Sequence, residues 1–125
     1  MVGSGFTKHQ RLRNAHEFQA VFSESRFRVS CAEILVLARP NDLGYPRLGV
    51  ITSKRNCRLA TQRNRIKRVF RESFRLRQFI LGIDIIILGR PGIINLPNPE
   101  LFLLIDRLWD RLNQSIVDYS KKRSQ

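Results

Sequence analysis

Residues 54–77, KRNCRLATQRNRIKRVFRESFRLR, decide the fold of this chain. Ten of these residues are basic, and only Glu72 is acidic. At about 100° per residue, the helical period, the apolar side chains fall on one face and the basic ones on the other. The apolar face carries Ile66, Val69, Phe70, Ser73 and Phe74, and the opposite face carries Asn64, Arg68, Arg71 and Arg75. The pattern predicts a helix that begins near Leu59 or Thr61 and ends near Phe79.

The charge of this helix indicates a polyanionic partner. Solvated helix faces usually mix both signs, because like charges at i,i+4 cost a few tenths of a kcal/mol each. Here Arg68, Arg71 and Arg75 repel one another along one stripe. An ordinary solvated face is the alternative, and this repulsion disfavours it. We therefore expect the basic face to bind an anionic polymer.

The composition predicts a single domain over residues 1–125, with frayed ends at 1–7 and 119–125. A hydrophobic share of 42% supports a modest core, so the charge is not that of a disordered tail. A net charge of +13 and a pI near 11.4 favour nucleic acid as the partner. An anionic membrane is the competing partner, but no apolar run approaches about 18 residues. We expect no membrane association.

Two further expectations concern the compartment and metals. The N-terminal residues contain no apolar signal-peptide core, which predicts a cytosolic protein. Cys31 and Cys57 lie far apart and form no C-x-x-C pair, and only His9 and His16 are available as histidine co-ligands. We expect two reduced thiols and no metal site.

The first half of the chain predicts a helix and two strands. Asn14 followed by Glu17 resembles a capping box, which would start a short first helix. Residues 29–38 and 47–54 are rich in Val, Ile and Leu and are expected to form strands. The loop between them is rich in Pro, Asn and Gly, and two strands joined in this way are most simply antiparallel neighbours.

The second half predicts a strand and a final helix. The run at 83–88, IDIIIL, is apolar at nearly every position and is typical of a buried central strand. Asn98, Pro99 and Glu100 form a cap, a first helical proline and a first-turn acid. The helix stripe follows at Leu101, Leu104, Ile105, Leu108, Leu112 and Ile116. The order α-β-β-α-β-α predicts an α+β sandwich, and the chain from the second strand through the basic helix is long enough for a parallel crossover.

The acidic residues do not suggest a protein active site. Asp84 lies inside an apolar strand, where a carboxylate must be hydrogen-bonded or lie at the start of the strand. His16 and Glu17 are neighbours on a helix, so their side chains point about 100° apart and do not face each other. We expect the chain to bind rather than to catalyse.

Several segments together resemble the protein subunit of bacterial ribonuclease P. The RNR signature lies in RNRIKR, residues 63–68, and RESFRLRQ follows at 71–78. The remaining similar segments are EFQAVF at 17–22, RLGVITSKR at 47–55, IDIIILGRPG at 83–92 and LWDRLNQ at 108–114. They cover nearly the whole chain in the family's order.

The resemblance implies a ribonucleoprotein that removes the 5′ leader from precursor tRNA by hydrolysing one phosphodiester bond. It implies that the RNA subunit, with bound Mg²⁺, is catalytic, and that the small protein binds the leader and stabilises the active RNA and its metal sites. It also implies a small mixed sheet with a left-handed β-α-β crossover, against the general right-handed rule. The number of copies in the holoenzyme is left open.

Two RNA-binding surfaces follow from the resemblance. The surface for the RNA subunit would comprise Arg63, Asn64, Arg65, Lys67, Arg68, Arg71 and Arg75. The cleft for the single-stranded leader would comprise Phe18, Phe22, Leu35, Ser53, Lys54 and Arg55. Leu35 stands where some relatives have an aromatic residue, and Arg11 and Arg13 are possible additional RNA contacts. From the residues alone, Phe18 and Phe22 at i,i+4 could equally be a packed core pair.

Two other functions fit parts of the sequence. A structural protein of the ribosome would share the basic helix and high pI but would need no leader cleft. A free-standing protein nuclease would cleave RNA without an RNA subunit.

Overall fold

The computed structural model describes residues 10–123, which form a four-stranded mixed sheet with helices on both faces. The helices are α1 (Ala15–Glu24), α2 (Ala60–Arg75) and α3 (Asn98–Arg123). The strands are β1 (Phe27–Ser30), β2 (Ile34–Pro40), β3 (Arg47–Ile51) and β4 (Ile83–Gly89), and a 3₁₀ turn covers Ile93–Asn95. The α+β class predicted from the sequence is confirmed. Of the predicted frayed ends, 1–7 and 124–125 lie outside the described residues.

The first helix begins at the predicted capping box. The Asn14 side chain accepts a hydrogen bond from Glu17 N at 2.9 Å, and Glu17 Oε1 accepts from Asn14 N at 3.4 Å and from Arg13 N at 2.6 Å. Three backbone N–H groups at the helix start are therefore satisfied by two side chains. The sequence predicted this helix correctly.

The predicted strand at 29–38 is two strands. Phe27 pairs with Ala38 and Ser30 with Leu35, and Cys31 N donates to Ile34 O at 2.9 Å to close a tight hairpin. The apolar residues of the segment form strands, as predicted, but the turn between Ser30 and Ile34 was not predicted from the sequence.

The predicted antiparallel pairing of the two strands on either side of the 41–46 loop is wrong. The strand order is β1-β2-β4-β3, so β4 lies between β2 and β3. β4 is antiparallel to β2 and parallel to β3. Its side chains are buried along almost the whole strand, and a central position provides neighbours on both edges and both faces. The predicted parallel crossover through α2 is confirmed, and its left-handed sense stays a prediction.

The basic helix α2 buries the predicted apolar face and ends one turn early. Its buried residues are Ile66, Val69, Phe70, Ser73 and Phe74. It ends at Arg75 rather than near Phe79, and Leu76 N and Arg77 N close the last turn on Ser73 O and Phe74 O. The early end lets Phe79 fold back, with ring centroids 5.9 Å from Phe74 and 5.7 Å from Trp109.

The last helix is longer than expected at its end. It begins at Asn98 and continues to Arg123, so residues 119–123 are helical rather than frayed. The Tyr119 ring packs edge-on against Phe27 with centroids 5.4 Å apart, and Arg123 Nη1 donates to Tyr119 Oη at 2.7 Å. These contacts fix the final turn. Asn98 Oδ1 accepts a hydrogen bond from Arg65 Nη1, a partner that the sequence did not predict.

The sheet has a large core on one face and a smaller one on the other. The large core packs α2 and α3 against the sheet, with Trp109 and Phe70 among its largest buried side chains. On the opposite face α1 lies across the strands. Glu17 near its start pairs with Arg47 on β3, and Glu24 at its end lies near Arg39 on β2. The small core under α1 contains Leu12, Val21, Leu37 and Ile86.

Candidate nucleic-acid interface

The outward face of α2 lines a groove of about 410 Å³, which we call the docking groove. Its residues are Arg11, Asn64, Lys67, Arg68, Arg71, Glu72 and Arg75. Five of the seven predicted RNA-subunit contacts thus lie together. Asn64 and Arg68 are exposed, and Lys67, Arg71 and Arg75 are half-buried. The helical period of the sequence was sufficient to predict this face.

Arg11 joins the docking groove from a distant part of the sequence. Residue 11 bridges Leu48 in the parallel sense, and Leu12 N donates to Leu48 O at 3.1 Å, so this segment runs along the free edge of β3. Leu12 is buried in the core under α1, and Arg11, the next residue along an extended segment, lies on the α2 side. Arg13 is exposed and does not line the groove.

The docking groove is strongly cationic. Burial and the nearby charge of Arg11 lower the pKa of the Arg71 guanidinium, because both disfavour its charged form. Glu72 is the only acid in the groove lining, and it pairs with Arg75, one turn away. A bound phosphate between Arg11 and Arg71 would relieve the repulsion between them.

Arg63 and Arg65 differ from the other predicted docking residues, because their guanidinium groups bind the chain's own backbone. Arg63 Nη1 donates to Cys57 O at 2.8 Å and to Arg58 O at 3.0 Å. Arg65 Nη1 donates to Leu96 O at 3.0 Å and to Asn98 Oδ1 at 2.8 Å, and its Nη2 donates to Ile94 O at 3.3 Å. The two arginines of the RNR signature therefore fix the loops at either side of α2. No local pattern in the sequence indicates these long-range contacts.

On the other face of the sheet, α1 leaves a strip of apolar side chains half-buried. In register across the sheet, Ile51 lies beside Leu88, and Leu88 lies beside Leu35. All three pack partly against the small core. We call this strip the cleft, together with Phe18, which packs against the same core, and the exposed Phe22 one turn further along α1.

The predicted cleft residues on α1 occupy different environments. The Phe18 ring lies over Gly49 of β3, where an added Cβ would approach the Phe18 ring to 2.6 Å. Phe22 is 42% exposed, an unusual fraction for a phenylalanine. Phe18 and Leu35 share one apolar cluster. Phe18 therefore packs against the sheet while Phe22 is exposed, so the two residues do not form a buried core pair.

The basic end of the cleft is a tight turn after β3. Ser53 Oγ accepts from Asn56 N at 3.1 Å and Ser53 O accepts from Cys57 N at 2.9 Å. Asn56 Nδ2 donates to Gly89 O at 3.1 Å, which ties the turn to the end of β4. Lys54 and Arg55 are exposed on this turn, close in sequence to Ile51. Ser53 shapes the turn that presents the two cations.

An ion-pair network under α1 was not predicted from the sequence. Arg47 donates to both carboxylate oxygens of Asp84 at 2.8 Å and to Glu17 Oε2 at 2.7 Å. Asn41 Nδ2 completes the environment of Asp84 at 2.7 Å. Hydrogen bonds from the Arg13 backbone and the charge of Arg47 lower the pKa of Glu17, and Asp84 raises the pKa of Arg47. The expectation that Asp84 needs a partner is confirmed.

Within residues 10–123, no group of three or more His, Cys, Asp and Glu side chains is arranged to hold a metal ion. None of the helices in this part of the chain has the length and apolar character needed to cross a membrane.

Comparisons with known proteins identify the family of this chain. A family model described as Ribonuclease P matches residues 6–113. The ribonuclease P protein component of Chromohalobacter salexigens is 46% identical over 117 residues, which cover 93% of this chain and 91% of that protein. The corresponding component of Pseudomonas aeruginosa is 46% identical over 113 residues, covering 90% of this chain and 84% of that protein.

Solved structures give the same result. The RNase P protein from Thermotoga maritima superposes with a TM-score of 0.69 at 27% identity, covering 83% of this chain and 96% of that one. The Staphylococcus aureus RNase P protein, at 24% identity and a TM-score of 0.69 over 90% of this chain and 95% of that one, shares the fold. The chain belongs to the bacterial ribonuclease P protein family and has the role of the ribonuclease P protein subunit in tRNA processing.

Proposed function

We propose that this subunit docks on the RNA subunit of ribonuclease P through the docking groove and holds the 5′ leader of precursor tRNA in the cleft. One observation carries the proposal. Five cations and Asn64 converge on one groove with a single acid, Glu72, while an apolar strip with exposed cations at its end lies on the opposite face of the sheet. The first surface suits a folded RNA, and the second suits a single strand.

Docking would rest on phosphate contacts made by Lys67, Arg68, Arg71 and Arg11. Arginine forks hold phosphate oxygens bidentately, and such contacts fix register and orientation without reading sequence. Asn64, exposed at the start of the groove, has a donor and an acceptor for a base or a sugar hydroxyl. Arg63 and Arg65 would stabilise the loops on either side of this surface through their hydrogen bonds to backbone carbonyl groups. Their remaining N–H groups would contact RNA.

The leader would lie across the strip formed by Ile51, Leu88 and Leu35. Its bases would pack on Phe18 and Phe22, since stacking on an aromatic ring contributes about 1 to 3 kcal/mol per base with little sequence preference. Lys54 and Arg55 would contact its phosphates where it enters the cleft. Precursor tRNAs carry different leader sequences, and a surface that stacks rather than reads base edges accepts them all.

The hydrolysis itself we assign to the RNA subunit and its Mg²⁺, with this chain as a non-catalytic subunit. The carboxylates of Glu17 on α1 and Asp84 on β4 both form ion pairs with Arg47, so we assign them a structural role and not a role in metal binding. A cationic groove beside the RNA lowers the repulsion among its phosphates, which would stabilise the folded RNA that holds the Mg²⁺. The setting that we propose for this work is the cytoplasm.

The discriminating experiment compares substrates. With the RNA subunit present, the chain should increase the affinity for precursor tRNA more than the affinity for mature tRNA, because only the precursor carries a leader. Equal effects on both would favour a general RNA-binding role such as that of a ribosomal protein. Cleavage by the chain after complete removal of RNA would instead indicate a protein nuclease, and would overturn the proposal.

A further inference from the structure

A second basic depression lies at the opposite edge of the sheet from the docking groove. It has a volume of about 600 Å³ and forms where α1, β2 and α3 all end. Its lining residues are Glu24, Ser25, Arg26, Arg39, Pro40, Tyr119 and Arg123. None of the surfaces predicted from the sequence includes it. We call it the β1-edge depression, because residue 26 directly precedes β1.

The charges in this depression are poorly compensated. Three guanidinium groups face one acid, Glu24, whose nearest oxygen is 3.7 Å from Arg39 Nη1. The Glu24 side chain is 65% exposed, so this pair is screened by water and weak. Within residues 10–123 the Arg26 guanidinium has no hydrogen-bond or ion-pair partner. The depression therefore carries an excess of positive charge with free donors.

One cation of the depression is held in place by an aromatic ring. The Arg123 guanidinium carbon lies 5.4 Å from the Tyr119 ring centroid, and Arg123 Nη1 donates to Tyr119 Oη. Tyr119 in turn packs edge-on against Phe27 at the start of β1. A guanidinium stacked on a ring keeps most of its N–H donors available and loses little entropy on binding an anion. The site is thus partly ordered before any ligand arrives.

The position of the depression relates it to the cleft. The strip Ile51–Leu88–Leu35 runs from β3 towards β1, and Leu35 pairs with Ser30 on β1. Arg28, an exposed residue of the same strand, lies two residues before Ser30, opposite Leu37. Three interstrand spacings of about 4.8 Å separate the two edges of the sheet, roughly 14 Å in all. A strand that crosses the cleft from Lys54 meets β1 at Ser30, at the opposite end of β1 from Arg26. To reach the depression it must then turn and follow β1 past Arg28 for four residues, roughly 13 Å.

We infer that the β1-edge depression binds phosphodiester groups of the leader after the leader has crossed the cleft, with Arg26 and Arg123 as the contacting residues. The inference rests on the proposed function, since it extends the leader path. It predicts that the subunit senses leader length: short leaders end within the cleft, and longer ones reach the depression.

The test uses the reconstituted holoenzyme and two precursor tRNAs, one with a leader of a few nucleotides and one with a long leader. The variant Arg26→Ala/Arg123→Ala should weaken binding of the long-leader precursor about three- to tenfold and leave the short-leader precursor unchanged. For the long-leader precursor, the slope of the logarithm of the binding constant against the logarithm of the salt concentration should become shallower by about 0.7 per lost phosphate contact. Arg26→Lys/Arg123→Lys should restore most of the affinity, because the charge is retained.

The matched control is Arg107→Ala, which removes one exposed arginine from α3 outside the depression. Thermal unfolding of each variant checks that the fold is intact. Equal losses of affinity for the two precursors would overturn the inference. Weaker binding of the variant to the RNA subunit alone would also overturn it, because the phosphates bound in the depression would then belong to the RNA subunit. Failure of the proposed function would give a different result. The unmodified chain would then not increase the affinity for precursor tRNA over mature tRNA with either leader length.

Discussion

The Arg47 guanidinium holds Asp84 by two hydrogen bonds of 2.8 Å, one to each carboxylate oxygen. The same guanidinium reaches Glu17 on α1, so one side chain links β3, β4 and the first helix. Asp84 is only 3% exposed, which makes it dependent on this partner. Arg47 therefore ties the start of α1 to the sheet.

Replacement of Arg47 should destabilise the protein strongly. Arg47→Ala leaves the buried Asp84 carboxylate without its charged partner, and we expect a loss of about 3 kcal/mol in the free energy of unfolding. Urea unfolding measures it. Arg107→Ala, an exposed substitution of the same type, should change the stability by less than about 0.5 kcal/mol. Equal effects of the two variants would show that the Arg47–Asp84 pair contributes nothing.

The stability contributed by Glu17 should depend on pH. Its pKa in the folded protein is lowered from the usual value of 4.5, mainly by the Arg13 backbone N–H and also by Arg47. A lowered folded pKa means that the contribution is present above 4.5 and is lost as the pH falls through the folded value. The stability difference between the wild type and Glu17→Gln should therefore shrink on acidification below that point. A difference that stays constant down to the acid transition would contradict this.

A methyl group at residue 49 should impair the cleft selectively. In Gly49→Ala the new Cβ would meet two Phe18 ring atoms at 2.6 Å, so the ring must move. We expect a destabilisation of about 1 to 3 kcal/mol from overpacking. Leader-dependent affinity should fall while binding to the RNA subunit remains. The second substitution Phe18→Leu should recover stability without recovering leader affinity, and recovery of both would mean that the Phe18 ring does not contact the leader.

Arg68 and Arg65 should fail in different ways. Arg68→Ala should weaken assembly with the RNA subunit and flatten the log-log salt dependence by about 0.7 to 0.9, with no change in stability, because Arg68 is exposed on the docking groove. An unchanged slope would place Arg68 outside the RNA contact.

Arg65→Ala should instead lower the stability by about 1 to 3 kcal/mol, because the backbone acceptors Ile94 O and Leu96 O lose their donor. Unfolding measurements and filter binding on the same preparations separate this effect from that of Arg68→Ala. Arg65→Lys should not restore stability fully, since an ammonium cannot reproduce the fork that spans both carbonyl groups. A loss of RNA affinity without any loss of stability would contradict the structural role of Arg65.

The sequence predicted what local periodicity determines and missed what depends on pairing at a distance. The phase of α2, and with it Asn64, Arg68, Arg71 and Arg75 on one face, follows from the 3.6-residue period alone. The insertion of β4 between β2 and β3 does not, because strand order depends on burial across the whole sheet. For the same reason the contacts of Arg65 to the loop before α3, and the arrival of Arg11 beside Arg71, were visible only in the structure.

The central claim is that this chain acts by docking on a catalytic RNA and holding the leader beside it. Its most direct test is the rate of 5′ leader removal from precursor tRNA by a bacterial ribonuclease P RNA at low Mg²⁺, with and without the chain. The account predicts that cleavage by the RNA increases greatly when the chain is added, and that Arg68→Ala requires more protein for the same effect. Cleavage by the RNA at the same rate with and without the chain would contradict it.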